Sequence, residues 1–287
     1  MRRASRGARI GEYMTVTNAV ETTMIWGTVS GASMVGMVIS LLLSVVLPIF
    51  LGIFIYKKTK AWVPAFFIGC GIFVGFAMIL EQICHAIVLT VTGSAIRDNI
   101  WLYAIYGGLA AALFEECGRW IAMKFCLKKH LTRENALMYG AGHGGIEAFL
   151  ILGMSSMSNL LTAAMINGGL MEKTMTALEP AQQEVTYHQL SVLWTTPAYQ
   201  FYLAPVERIS AIALQIALSI LVYSAVKTGR KLHLAAAFGL HFAVDFLTVV
   251  CASTIPTWAL ELGLLVVVAV ICAAVYKLVY VHSAEKK

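Results

Sequence analysis

The chain has 287 residues, of which 59% are hydrophobic and only 13% are charged, and its mean hydropathy is +0.78. This composition excludes an ordinary soluble domain. The formal net charge of +6 needs no nucleic-acid partner, because basic loops between apolar runs explain it as an insertion signal.

Seven apolar runs are long enough to cross a ~30 Å hydrocarbon core, which takes about 20 residues. Helices are expected because backbone polar groups in lipid must be satisfied within their own segment. The predicted fold class is all-α, a multi-pass integral membrane helical bundle of about seven transmembrane helices. The predicted spans are 32–56, 62–92, 100–126, 136–166, 205–226, 232–253 and 257–277.

The chain divides into an N-terminal arm (1–31), a single transmembrane domain (32–280) and a short tail (281–287). The first apolar run is too long for the 7–15-residue core of a secretory signal. We therefore expect it to remain in the protein as a membrane anchor, with Met14 as an alternative start.

Basic residues predict the orientation, because short cytoplasmic loops carry an excess of Lys and Arg. They follow the first, third, fifth and seventh spans: Lys57, Lys58, Lys60, Lys124, Lys128, Lys129, Arg133, Lys227, Arg230, Lys231, Lys277, Lys286 and Lys287. The connections 93–99, 167–204 and 254–257 are poor in basic residues. The N-terminus is predicted outside and the C-terminus and tail in the cytoplasm of a bacterial cell. The one feature that opposes this orientation is the basic N-terminal arm, with Arg2, Arg3, Arg6 and Arg9.

Four ionisable pairs lie one helical turn apart within the predicted spans: Glu81/His85, Glu115/Arg119, His143/Glu147 and His241/Asp245. An ionisable residue at the centre of a spanning helix costs roughly 2.5–3.5 kcal/mol, so it usually faces a protein interior or a wet cavity. The spacing puts both members of a pair on one helix face. Helix geometry predicts that Glu115, His143, Glu147, His241 and Asp245 meet at one depth in the cytoplasmic half of the membrane.

The polar residues nearer the outer ends are expected to be structural, as helix-helix contacts or a shallow ion pair: Glu81, His85, Glu207 and Arg208. Glu81 or His85 bordering the cavity is the alternative. The six cysteines lie in or beside spans with no C-x-x-C, so no disulfide framework is expected. Cys117 is the one candidate nucleophile among them.

Two further segments carry structural predictions. Glycines beside His143 predict close helix packing: Gly140, Gly142, Gly144 and Gly145. Aromatic residues near the end of the 167–204 loop predict an interfacial belt, with a lid over a substrate entrance as the alternative: Trp194, Tyr199, Phe201 and Tyr202.

Carboxylates and histidines in a wet membrane pocket suit hydrolysis, with a buried carboxylate as general base and a histidine as base or oxyanion donor. A His/His/Glu set with one open position would also hold catalytic zinc. Proton or ion transport and a purely structural polar network are the other interpretations of these residues. Transporters often have inverted repeats and broken helices, and the sequence has no evident repeat.

Four motifs in order carry a family resemblance: ALFEECGRW (112–120), YGAGHGGIEAFL (139–150), ERISAIALQIALSILVY (207–223) and HFAVD (241–245). Together they resemble the YhfC family of intramembrane metalloproteases, within the wider group of PrsW, CAAX-processing and bacteriocin-processing membrane proteases. The resemblance covers roughly residues 35–280 and implies that the transmembrane domain is protease-like.

The resemblance implies roles residue by residue. Glu115, Glu116 and Arg119 match the Glu-Glu pair and the basic residue of the group, in which the first Glu and a His on the next helix, here His143, activate water. Glu147 matches the second motif. His241 and Asp245 match a motif thought to stabilise the oxyanion. The spacing to Arg119 is one residue shorter than the CAAX-type pattern, and Asp245 replaces a frequent Asn, which favours a metal site somewhat.

These observations predict an intramembrane endopeptidase that acts on a membrane protein or peptide in the lipid bilayer. The catalytic set is Glu115, Glu116, His143, Glu147, His241 and Asp245, with Arg119 supporting it. No cofactor is required if Glu115 is the base. The alternatives are a zinc-dependent protease with Glu115, His143 and His241 as ligands, a membrane transporter, and an inactive immunity or scaffold protein.

Overall fold

A computed structural model describes residues 24–281, and within this range all regular structure is helical. Most of the predicted N-terminal arm, with its four arginines, and the tail beyond Val281 lie outside the described residues. The described part contains nine helices: α1 (Gly31–Thr59), α2 (Pro64–Thr92), α3 (Ile100–Cys126), α4 (Arg133–Asn167), α5 (Leu170–Met175), α6 (Pro180–Thr195), α7 (Ala198–Thr228), α8 (Lys231–Ala252) and α9 (Thr257–Tyr280).

Seven of these helices are long and apolar enough to cross a membrane: α1, α2, α3, α4, α7, α8 and α9. The predicted all-α multi-pass bundle is therefore confirmed. π-helical segments interrupt two spans, at Val74–Glu81 in α2 and Phe149–Gly153 in α4, and end α3 and α9. The segment Phe149–Gly153 directly follows Ala148, just beyond the polar part of α4. Segments of this kind are frequent at functional sites.

Local signals define several helix ends. The side chain of Ser30 accepts a hydrogen bond from Ser33 N at the start of α1, and Asn99 does the same for Trp101 N and Leu102 N at the start of α3. Such side chains satisfy N–H groups that a helix cannot pair internally. Gly229 ends α7 in the left-handed region with φ 73°, where glycine carries no Cβ penalty.

The fifth span begins at Ala198, seven residues before the predicted boundary at 205, and Pro205 lies inside it. Proline removes the hydrogen bond to the carbonyl four residues earlier, which here belongs to Phe201. Ser40 of α1 donates its hydroxyl to Phe201 O at 3.1 Å. The neighbouring helix thus satisfies the freed carbonyl. The predicted helix boundary at the proline did not include this contact.

Helix α7 lies at the centre of the bundle, and 72% of the residues in an apolar 18-residue stretch of it are buried. It packs against α1, α3, α4, α8 and α9. Its apolar side chains, including Leu218 and Val222, form the main core with Met138 and Tyr139 of α4. Any polar side chain on α7 therefore has to find its partners inside the protein.

Helix α4 approaches its neighbours closely through glycine. A Cβ on Gly142 would lie 1.9 Å from Phe66 O of α2, and one on Gly144 would lie 3.0 Å from the Cα of Ile212 on α7. The predicted role of these glycines in close helix packing is confirmed. The contacts hold the His143 segment between two helices.

The segment 167–204 contains the short helices α5 and α6 and packs on the start of α1. The rings of Trp26 and Trp194 have centroids 5.8 Å apart, and the Tyr202 hydroxyl donates to Ala32 O at 2.9 Å. No residue of this segment lines the central cavity described below. Trp194 and Phe201 thus pack in a small second core at this end of α1 and α4, whereas Tyr199 and Tyr202 are exposed. The structure gives no support to a lid, and the interfacial belt stays a prediction.

Candidate active site

Glu116 and Arg119 form a buried ion pair one turn apart on α3. Arg119 is 0% exposed, and its Nη1 donates to Glu116 Oε1 at 2.7 Å. Its Nη2 donates to the side-chain oxygen of Gln215 on α7 and lies 3.8 Å from Glu115 Oε2. One permanent positive charge therefore serves two adjacent carboxylates, which offsets part of the cost of burying them.

Glu115 joins three helices through one of its two oxygens. Its Oε2 lies 2.9 Å from His143 Nε2 of α4 and accepts a hydrogen bond from Gln215 Nε2 of α7, also at 2.9 Å. The contact requires a proton on His143 Nε2, because a carboxylate only accepts. The other oxygen, Oε1, accepts no hydrogen bond from the described residues.

Gln215 of α7 links the glutamates of α3 and α4. Its amide nitrogen also donates to Glu147 Oε2 of α4 at 2.8 Å, while its oxygen accepts from Arg119. Glu147 Oε1 in turn accepts from Arg208 Nη1 at 3.1 Å, and Arg208 also pairs with Glu207. A continuous polar network therefore runs along one face of α7, where Arg208 and Gln215 are two turns apart.

A fourth helix, α8, contributes His241 to the cluster. Its Nδ1 lies 2.8 Å from Glu116 Oε1, and its Nε2 lies 3.5 Å from Asp245 Oδ2. His241 is 3% exposed, whereas the side chain of Asp245 is 35% exposed. Asp245 thus stands at the wetter edge of the site.

A cavity of about 330 Å³ adjoins this network. Seven polar side chains of the network line it: Glu115, Glu147, Glu207, Arg208, Gln215, His241 and Asp245. The cavity extends past Tyr103 of α3 and Thr248 of α8, toward the end of the bundle formed by segments 93–99 and 253–256. Three residues of the network do not line the cavity and lie behind the side chains that do: Glu116, Arg119 and His143.

The arrangement does not fit a bound metal ion. Among the described residues, no three His, Cys, Asp or Glu side chains converge as a metal-ligand group. Glu115 and His143 contact each other, whereas His241 contacts Glu116. The guanidinium of Arg119 already supplies the positive charge between the two glutamates of α3.

The structure brings all seven sequence-predicted site residues into one network, while their individual roles stay predictions. Arg208 forms both contacts that the sequence analysis expected, an ion pair with Glu207 and a helix-helix hydrogen bond to Glu147. It is 8% exposed and also lines the cavity. Glu81 and His85 pair with each other at 3.2 Å, and His85 contacts Tyr106. Neither lines the cavity.

Cys117, the candidate nucleophile, is exposed on the outer surface of α3 and does not line the cavity. Gln215 is the residue that sequence reasoning missed. The available signal was a single amide within the predicted span 205–226. It comes seven residues after Arg208 and therefore lies on the same helix face. Polar residues inside a spanning helix normally pair with other polar groups.

Comparisons with known proteins identify the family of the chain. The family model described as YhfC intramembrane metalloprotease matches residues 43–272. The chain is also 41% identical over 222 residues to the uncharacterized membrane protein YhfC of Bacillus subtilis (strain 168), which covers 74% of this chain and 83% of that protein. The chain belongs to the YhfC family. No solved structure matches it.

All four motifs that carry the resemblance to the YhfC family lie within the matched region. Each contributes a residue to the network: Glu115 from the first, His143 from the second, Gln215 from the third and His241 from the fourth. The description of the YhfC family supports, in broad terms, an intramembrane protease. The chain is a multi-pass membrane protein by its helices and by its relative.

Proposed function

We propose that this chain is an intramembrane endopeptidase that uses a water molecule activated by Glu115 to cleave a membrane-associated protein or peptide. The observation that carries the proposal is the difference between the two oxygens of Glu115. Oε2 is held by His143 and Gln215, whereas Oε1 accepts no bond from the described residues and Glu115 lines the cavity. A carboxylate oriented in this way is suited to take a proton from water.

In the proposed reaction, Glu115 accepts a proton as the water oxygen attacks the carbonyl carbon of the scissile bond. The C–N bond then breaks, and the proton passes from Glu115 to the leaving nitrogen. Glu115 thereby returns to its starting form. His241, on the cavity wall, donates a hydrogen bond from Nε2 to the carbonyl oxygen as negative charge develops there. This role requires the imidazolium form, because Nδ1 donates to Glu116.

The buried layer behind the cavity has a positioning role in this proposal. His143 is 0% exposed and reaches the reaction only through Glu115, so we assign it to orienting that carboxylate rather than to direct contact with water. Glu116 orients His241 in the same way. Arg119 and Gln215 hold the carboxylates at their separation.

The proposed reaction requires no metal ion. The family description names a metalloprotease, and a zinc-dependent reaction with Glu115, His143 and His241 as ligands is the alternative. The buried Arg119 beside Glu115 favours the metal-free reaction, because a second cation between the same carboxylates would meet its repulsion.

Proteolysis by the purified full-length protein in liposomes tests both parts of the proposal. The probes are fluorogenic peptides, each with a single apolar span, assayed before and after treatment with a strong zinc chelator. We expect cleavage with unchanged rates after chelation, and mass spectrometry should locate one new pair of termini. Activity that chelation abolishes and added zinc restores would establish the metal-dependent alternative instead.

The orientation is part of the proposal. Crossing seven spans places segments 60–63, 127–132 and 229–230 on one face and segments 93–99, 168–197 and 253–256 on the other. Because the first face carries most of the basic residues, we propose that it is cytoplasmic and that the N-terminus is outside a bacterial cytoplasmic membrane. The cavity then opens toward the outer face, and the depth of the polar cluster in the cytoplasmic half stays a prediction.

In a variant free of native cysteines, a cysteine placed at Glu184 should react with a membrane-impermeant thiol reagent added to intact cells. One placed at Lys129 should react only after the membrane is opened. The two positions are matched because both side chains are exposed. The reverse pattern of labelling contradicts the proposed orientation.

A further inference from the structure

A second polar cavity lies at the opposite end of the bundle from the mouth of the active-site cavity. It has a volume of about 620 Å³ and forms where α1 ends, α2 begins and the 127–132 connection enters α4. We call it the basic pocket and define it by six of its lining residues: Lys58, Lys60, Trp62, His130, Arg133 and Tyr280. None of them belongs to the polar network around Glu115.

The charge of the basic pocket is positive. Its lining contains two lysines and one arginine against the single carboxylate of Glu134. Glu134 Oε1 accepts from Arg133 Nε at 2.8 Å, so that pair is internally balanced. Among residues 24–281, no carboxylate forms an ion pair with Lys58 or Lys60. Lys60 Nζ lies 5.3 Å from the centroid of the Tyr56 ring, a contact that leaves its charge uncompensated. Within the described range, both ammonium groups can therefore bind an anionic ligand.

Side-chain contacts between separate segments shape the basic pocket. Asn135 accepts from Trp62 N at 2.7 Å and donates to His130 O at 2.6 Å, which ties the start of α2 to the 127–132 connection. The rings of Trp62 and His130 stack with centroids 4.2 Å apart. The wall of the pocket is thus fixed before any ligand arrives, which lowers the entropic cost of binding.

Lys60 occupies an unusual backbone position in this wall. It is the only non-glycine residue with positive φ in the described part of the chain, at φ 57°, and it follows the last residue of α1. Glycine is the usual residue at this position of a helix end. A lysine here carries a conformational cost, and the same geometry offers a test in which glycine removes the charge without disturbing the backbone.

We propose that the basic pocket binds a phosphate group, carried either by an anionic phospholipid headgroup or by a soluble phosphate ester. The ends of spanning helices α1, α2, α4 and α9 surround the pocket, which places it at the level of lipid headgroups. Lysine ammonium groups are typical phosphate donors, and Trp62 and Tyr280 are side chains suited to a membrane-water interface. The proposal does not depend on peptide-bond hydrolysis.

The test compares the wild type with Lys60→Gly and Lys58→Ala, each as full-length protein in nanodiscs of phosphatidylcholine with increasing phosphatidylglycerol. Retained phosphatidylglycerol is counted by native mass spectrometry. Each variant should weaken binding about five-fold, since a basic residue near a membrane surface contributes ~1 kcal/mol to anionic lipid attraction. Lys57→Ala is the matched control, because Lys57 is exposed on the last turn of α1 but does not line the pocket.

Titration of inorganic phosphate into the protein in phosphatidylcholine nanodiscs separates the two sources. Saturable binding of phosphate, weakened by Lys60→Gly, supports a soluble ester, whereas selective retention of phosphatidylglycerol alone supports a lipid headgroup. Equal losses in Lys57→Ala and Lys60→Gly, or saturation by neither probe, overturn the proposal. Thermal unfolding of Lys60→Gly should match or exceed that of the wild type, which separates lost binding from lost folding.

Discussion

Glu115→Gln is expected to lower the rate of peptide-bond hydrolysis by about 10²- to 10⁴-fold, the usual contribution of a general base. The amide has the shape of the carboxylate, and its oxygen can still accept from His143 and Gln215 at the position of Oε2. It cannot take a proton from water. Arg119 keeps its partner Glu116 at 2.7 Å, so the bundle should remain folded.

Glu81→Gln is the matched control for this variant. Glu81 is likewise a buried glutamate in a spanning helix, 6% exposed, with a histidine partner, but it does not line the active-site cavity. The measurement is cleavage of the single-span peptides in liposomes, with thermal unfolding of both variants. Undiminished turnover by Glu115→Gln would disprove the assignment of the base, and equal losses in both variants would point to a general need for buried charge.

Arg119→Met should have the largest effect on stability, lowering the free energy of unfolding by roughly 3–5 kcal/mol, as expected when one partner of a buried ion pair is removed. Methionine fills much of the arginine volume but leaves Glu116 without its permanent positive partner, with only His241 still in contact with it. It also leaves the Gln215 oxygen without its donor. The measurement is reversible denaturation of the purified protein in detergent micelles.

A second substitution distinguishes charge from packing. Arg119→Met combined with Glu116→Gln should recover part of the lost stability, because the double variant no longer buries an unpaired carboxylate. Arg97→Met is the control, since Arg97 is exposed in the connection before α3. If the double variant is no more stable than the single one, the loss arises from packing around Arg119 rather than from its charge.

These two predictions separate residues that react from residues that hold them. Glu115 faces the cavity, whereas Arg119 is fully buried behind it. A loss of activity without a loss of stability is expected for the first, and a loss of both for the second. Measuring activity and stability for every variant therefore assigns each residue either to the cavity lining or to the buried group behind it.

The sequence by itself determined the seven spans and the convergence of the polar pairs. Both conclusions follow from strong local physics: an apolar run of about 20 residues must form a satisfied helix in lipid, and i,i+4 spacing puts Glu115 with Arg119, or His143 with Glu147, on one face. The glycines of α4 also indicated close packing, because only a residue without a side chain admits a neighbouring backbone, as Gly142 admits Phe66.

Only the tertiary structure decided which polar groups are partners. Helical periodicity gives the face of a side chain but not which residue of another helix stands opposite it, so the sequence could not pair His241 with Glu116 rather than Glu115. The same limit hid Gln215, whose role depends on α7 being the central helix. It also gave no indication that Arg208 lines the cavity, because depth counted along a helix does not measure distance from a cavity enclosed by five helices.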